Sequence, residues 1–92
     1  MSRTPSNEVL ARVRGFIVSN FYVPETQKLS DDESLVEGGI VDSTGILEVI
    51  AFIERDFDLH VEDAEAIPAN LDSIKNIVAF VAAKQERGAA AA

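Results

Sequence analysis

Apolar residues recur at steps of three and four in three stretches of this chain, and each stretch predicts an amphipathic helix. The first stripe is Val9, Leu10, Val13, Phe16, Ile17 and Phe21. A hydroxyl and a proline at Thr4-Pro5-Ser6 suit the first turn of that helix, and Pro24 bounds its far end. The second stripe is Ile46, Val49, Ile50, Ile53 and Phe57, which sets a helix over residues 43–57. Its opposite side carries Thr44, Glu48, Ala51 and Arg55, with Leu47 on the border, so these positions form one continuous exposed strip below Ser43. The last stripe is Ile74, Ile77, Val78 and Val81 with Phe80 nearby. Asp72 suits its N-cap, and Gly88 suits its end.

Between these helices the pattern breaks. Residues 23–41 hold neither a helical nor a strand period and contain polar and glycine punctuation, which predicts a long ordered loop anchored by Leu29, Leu35, Val36 and Ile40. Glu62-Asp63-Ala64-Glu65-Ala66-Ile67 is long enough for a brief third helix that Pro68 would stop. No hairpin signal competes. The expectation is an all-α fold: a small four-helix bundle with a long first loop and a short third helix, as one domain over residues 1–87, followed by an Ala-rich disordered tail at 88–92. The five phenylalanines (16, 21, 52, 57 and 80) read as core.

Composition narrows what such a bundle can do. At 92 residues there is room for one compact core. The chain has no cysteine, so disulfides, thiolate metal sites and thiol nucleophiles are excluded, and any thiol chemistry must arrive on a cofactor. A formal charge of −8 opposes nucleic-acid binding, which needs basic groups to neutralise phosphates. Between Leu29 and Asp72 thirteen carboxylates face one cation, Arg55, a field that steers basic partners towards this region. No apolar run approaches a membrane span, and the N-terminus lacks the apolar core of a secretion signal, so the expected setting is cytoplasmic, as a monomer without membrane insertion.

Catalytic groups are scarce. His60 is the only histidine, set between Leu59 and Val61, where a structural or surface role outweighs that of a general base. Asp31-Asp32-Glu33 lacks the spacing and glycine of a calcium loop and reads as a solvated run. Gly38-Gly39 lacks the lysine and glycine spacing of a phosphate-binding loop; it supplies a turn that delivers Ile40 and Val41 to the core. The chain is therefore read as a non-enzyme with no catalytic residue and no resident metal. What remains is Asp42-Ser43 at the mouth of the second helix. Local physics explains the pair as an N-cap; the rival reading is a hydroxyl presented for modification, where the helix dipole favours an attached phosphodiester.

The spelling around that pair settles the direction of the second reading. Gly39-Ile40-Val41-Asp42-Ser43, then Glu48, Glu54-Arg55-Asp56-Phe57, Leu59-His60-Val61 and Asn70-Leu71-Asp72-Ser73-Ile74, resemble the landmarks of acyl and peptidyl carrier proteins across residues 8–85. The resemblance implies a four-helix fold in which Ser43 receives 4′-phosphopantetheine from coenzyme A through a magnesium-using phosphopantetheinyl transferase. The arm's thiol would then hold an acyl or aminoacyl group as a thioester. Asp42 would help the transferase dock and hold its metal, and Thr44, Leu47, Glu48, Ala51 and Arg55 would form the partner-recognition face. An acyl- or aminoacyl-activating ligase and downstream transferases are the implied partners. Thr44 stands where the family usually places a leucine, followed by Gly45, which costs about 1 kcal/mol of helix propensity, and Arg55 interrupts a commonly acidic face. These departures look more like free-standing specialised carriers than carriers of primary fatty acid synthesis. A helical adaptor that uses its acidic face without a prosthetic group is the alternative from another class.

Overall fold

The computed structural model describes residues 6–21, 23 and 29–91. Four helices follow one another: α1 (Ser6–Asn20), α2 (Ser43–Phe57), α3 (Pro68–Leu71) and α4 (Ile74–Ala91), with a 3-10 turn at Asp63–Glu65 before α3. There is no strand among the described residues, and α4 packs along α1 and against α3. The expected all-helical bundle with a long first loop and a short third helix is what forms. The hydroxyl and proline expected to open the first helix at Thr4-Pro5, and the Pro24 boundary, lie outside the described residues.

The stripes close one core. Val9, Val13 and Ile17 of α1, Val49, Ile53 and Phe57 of α2, and Ile74, Ile77 and Val81 of α4 are all buried. Removing each such side chain from water contributes roughly 1.5–3 kcal/mol against the entropy of ordering the chain. Phe52 joins them: its ring stacks on Phe16 with centroids 4.2 Å apart, and Phe57 meets it edge-on at 5.6 Å. Leu29, Leu35, Ile40 and Val41 peg the long loop into the same core, whereas Val36 stays half exposed.

Three local expectations are corrected. Pro68 does not stop a helix; it starts α3 at the first helical position, where its missing N–H has no intrahelical partner to lose. The segment before it forms only the 3-10 turn, held by the Glu62 N–H donating to the Glu65 carboxylate at 3.0 Å. Asp72 does not cap α4. Ser73 does, its Oγ accepting the Asn76 N–H at 3.0 Å, while Asp72 closes α3 and turns its carboxylate towards the long loop. Finally, α4 runs through Gly88 to Ala91, although the sequence placed its end at Gly88. Glycine lowers helix stability by about 1 kcal/mol without forbidding it, and the alanines that follow are the best helix formers.

Candidate functional site

The mouth of α2 is built by the turn before it. Gly39 adopts a φ of 74°, a conformation that only glycine reaches cheaply. Its amide donates to the Val36 carbonyl at 3.1 Å, and the next two amides, of Ile40 and Val41, both donate to the Leu35 carbonyl at 3.0 and 3.1 Å. Ile40 and Val41 are thereby buried, as the sequence predicted, and the chain emerges at Asp42 in extended geometry.

At this point the two readings of Asp42-Ser43 separate. Asp42 is the N-cap: its Oδ1 accepts the Gly45 N–H at 2.7 Å, and its carbonyl accepts the Ile46 N–H at 3.0 Å. Ser43 is the first helical residue and is exposed, and among the described residues its hydroxyl makes no hydrogen bond. The helix cap therefore leaves the serine unengaged. Gly45 is buried beneath it, and a Cβ there would stand 2.7 Å from Phe21 Cε1 and 3.0 Å from Val41 Cγ1. The helix-weakening glycine noted in the sequence is thus a packing requirement, since it lets the mouth of α2 close on Phe21.

The strip below Ser43 is exposed as expected. Thr44, Leu47, Glu48, Ala51 and Arg55 all face solvent, with Leu47 exposed at 66%, an unusual degree for a large apolar side chain. Arg55 Nε lies 3.2 Å from Asp56 Oδ1, so its charge is shared with a neighbour on its own helix.

A cleft of about 490 Å³ opens from Ser43. It is lined by Val36 and Glu37 of the loop, by Ile46 of α2, and by Ile67, Leu71 and Asp72 in and around α3. Sequence reasoning did not foresee this cleft, because α3 lies over it only through tertiary packing. Two of its apolar lining residues, Val36 and Ile67, stay half exposed, although the sequence suggested Val36 as an anchor of the loop.

His60 lies elsewhere. Its imidazole is exposed at the far end of α2, with Nδ1 3.4 Å from Glu54 Oε2 and Nε2 3.2 Å from Glu62 Oε2. Glu54 is eleven residues along α2 from Ser43, about 16 Å at 1.5 Å per residue, so His60 forms no base–nucleophile pair with the serine. Among the described residues no group of three or more metal-ligating side chains comes together, and no helix is long and apolar enough to cross a membrane.

Fold and site together define a small helical domain whose distinctive chemical feature is a free hydroxyl at a helix mouth, beside an apolar cleft and an exposed strip. The chain is 32% identical over 75 residues to an acyl carrier protein of Akkermansia muciniphila, a match covering 82% of this chain and 90% of that protein. It belongs to the acyl carrier protein family, and a carrier role in general follows from that membership. No family model matches the chain.

Proposed function

We propose that this protein carries an acyl or aminoacyl group on a 4′-phosphopantetheine arm attached to Ser43. The observation that supports this most directly is the division of labour at the mouth of α2: Asp42 performs the capping, so the Ser43 hydroxyl is exposed and unbonded. The residues present fit the group. Ser43 and Thr44 carry the first two amides of α2, which have no carbonyl one turn back, and these amides with the helix dipole favour the anionic phosphodiester. When bound, the arm supplies the thiol that the chain lacks, on which cargo is held as a thioester.

The chain's own residues do the rest. Asp42 spends Oδ1 on the Gly45 amide and has its second oxygen available to a transferase's magnesium next to the serine. Leu47 offers partners an apolar knob, flanked by Glu48 for a basic group and by Arg55 for an acidic one. The partners in this reading are a phosphopantetheinyl transferase, a ligase that activates the acyl or amino acid, and downstream transferases. The protein works as a cytoplasmic monomer and performs no catalysis. Intact mass after incubation with coenzyme A and a broad-specificity transferase tests it: wild type gains one phosphopantetheinyl group and Ser43→Ala gains none. An unchanged wild-type mass with several transferases, together with partner binding that Ser43→Ala leaves intact, would overturn the reading in favour of a helical adaptor.

A further inference from the structure

The cleft beside Ser43 has two walls from distant parts of the chain, and one side chain joins them. Asp72 Oδ2 accepts the Ser34 hydroxyl at 2.6 Å, and Oδ1 accepts the Val36 N–H at 3.1 Å. Its carbonyl accepts the Leu35 N–H at 2.7 Å, so three successive loop residues end on one residue of the opposite wall. Among the described residues, every hydrogen bond from Ser34, Leu35 or Val36 to that wall ends on Asp72. The tie continues towards the serine. Ser34 Oγ accepts the Glu37 N–H at 3.1 Å, which orients the loop wall, and the fully buried Leu35 passes the constraint to Ile40 and Val41 through its carbonyl.

We infer that Asp72 is the positioning residue of the Ser43 cleft: it sets the separation of the loop wall from the α3 wall, and hence the space that an arm on Ser43 meets. The inference rests on the carrier reading. A carboxylate suits the task because it offers two acceptor oxygens and no donor, and the loop presents two donors from different directions. The α2 cap does not depend on this tie, since Asp42 and Gly45 form it by themselves. Loss of the Asp72 carboxylate therefore releases Ser34 and the Val36 amide from the opposite wall, while the main-chain bond from Leu35 and the serine's helix stay in place.

The test compares apo and arm-bearing protein by amide NMR, with the arm installed from coenzyme A by a broad-specificity transferase. In wild type, attachment shifts amides on both walls: Val36 and Glu37 on one, Ile67 and Leu71 on the other. Asp72→Ala should accept the arm at a rate within about twofold of wild type yet lose the arm-induced shifts at Val36 and Glu37, while those at Ile67 and Leu71 persist. Ser34→Ala, which removes the bond to Oδ2 together with the acceptor of the Glu37 N–H, should lose part of the loop-wall response and serves as the test if Asp72→Ala does not fold. Adding Ser34→Ala to Asp72→Ala should cost less than the two changes made singly, because the Ser34–Asp72 bond is common to both and only the Glu37 acceptor is lost in addition. A variant that merely melts earlier and keeps the arm-induced shifts on both walls overturns the inference. So does a wild type that takes the arm with no shift on either wall, which leaves the carrier reading intact. A wild type that takes no arm overturns the carrier reading, and the inference with it.

Discussion

The dipeptide Asp-Ser occurs before two helices of this chain, and the two copies play opposite parts. Before α2, Asp42 caps the helix and Ser43 is free and exposed. Before α4, Ser73 caps the helix and is 5% exposed, while Asp72 reaches away to Ser34 and Val36. The helix therefore begins one residue later relative to the pair in the second copy. Either side chain can serve as an N-cap, so local chemistry leaves the choice open. It is made by what else each carboxylate can reach: Asp72 finds donors across the cleft, whereas Asp42 finds only the first turn of its own helix. A serine hydroxyl is left unbonded where the aspartate before it has nowhere else to bond.

The sharpest way to break this comparison is to delete each hydroxyl. Ser43→Ala should abolish arm attachment and leave the melting temperature within a degree or so, because the exposed hydroxyl holds nothing in the fold and surface changes of that kind are usually within about 0.5 kcal/mol. Ser73→Ala should do the reverse. It removes the acceptor of the Asn76 amide at a buried cap, costing about 1 kcal/mol, yet the protein should still take the arm. Intact mass and thermal unfolding measured on both variants read the two effects separately. Equal stability losses in the two would contradict the assigned roles.

The same pair shows where sequence reading stops. Periodicity placed α2 at residues 43–57, and the structure has it at Ser43–Phe57, because one buried stripe and one exposed strip determine that helix locally. The exposed strip and the turn at Gly39 were legible for the same reason. Asp72 was misassigned as the cap of α4 because its partners lie 36 and 38 residues away, and no local pattern encodes them. Pro68 was read as a stop because a proline before a helix and a proline after one look alike until the register is known. Gly45 looked like a weak helix residue. Its reason is a contact with Phe21, which local spacing could not reveal.

Gly45 supplies the next test, by contrast with Gly15. Replacing Gly45 with alanine gains about 1 kcal/mol of helix propensity, but the new methyl would stand 2.7 Å from Phe21 Cε1 and 3.0 Å from the buried Val41, and overpacking of that kind costs about 1–3 kcal/mol. The net expectation is a loss of stability, relieved by shortening Phe21 to leucine. Gly15, exposed in α1, has nothing within 4 Å of a built Cβ, so Gly15→Ala should stabilise by up to about 1 kcal/mol. A rise in melting temperature for both glycines would mean that the mouth of α2 is not closed on Phe21.

Changing Asp42 tests the cap itself. Asp42→Ala removes the acceptor of the Gly45 amide and should destabilise by about 1 kcal/mol, whereas Asp42→Asn keeps an acceptor oxygen and should recover most of that loss. The two variants should part from wild type differently in arm attachment. Asn lacks the negative charge offered to the transferase's magnesium, so Asp42→Asn should be attached slowly although it is stable. If Asn matched wild type in both measurements, Asp42 would be a cap and nothing more.

The smallest expected effect comes from a serine–aspartate contact that caps no helix. Ser30 donates its hydroxyl to Asp32 Oδ1, and this bond, followed by a backbone hydrogen bond and by the Lys75 charge, holds the Asp32 carboxyl below its ordinary value of 3.8. A carboxylate whose folded value is depressed adds stability that is present above 3.8 and is lost as the pH falls through the lowered folded value. Ser30→Ala should move the Asp32 titration back towards 3.8, read by carbonyl NMR. The stability gap between the variant and wild type should then be present at neutral pH and close on strong acidification, and arm attachment at neutral pH should be unchanged. A gap of constant size across that range would show that Ser30 acts through its packing and not through the Asp32 charge, which would set it apart from Ser73 and Ser34, whose hydroxyls act through the groups they bond.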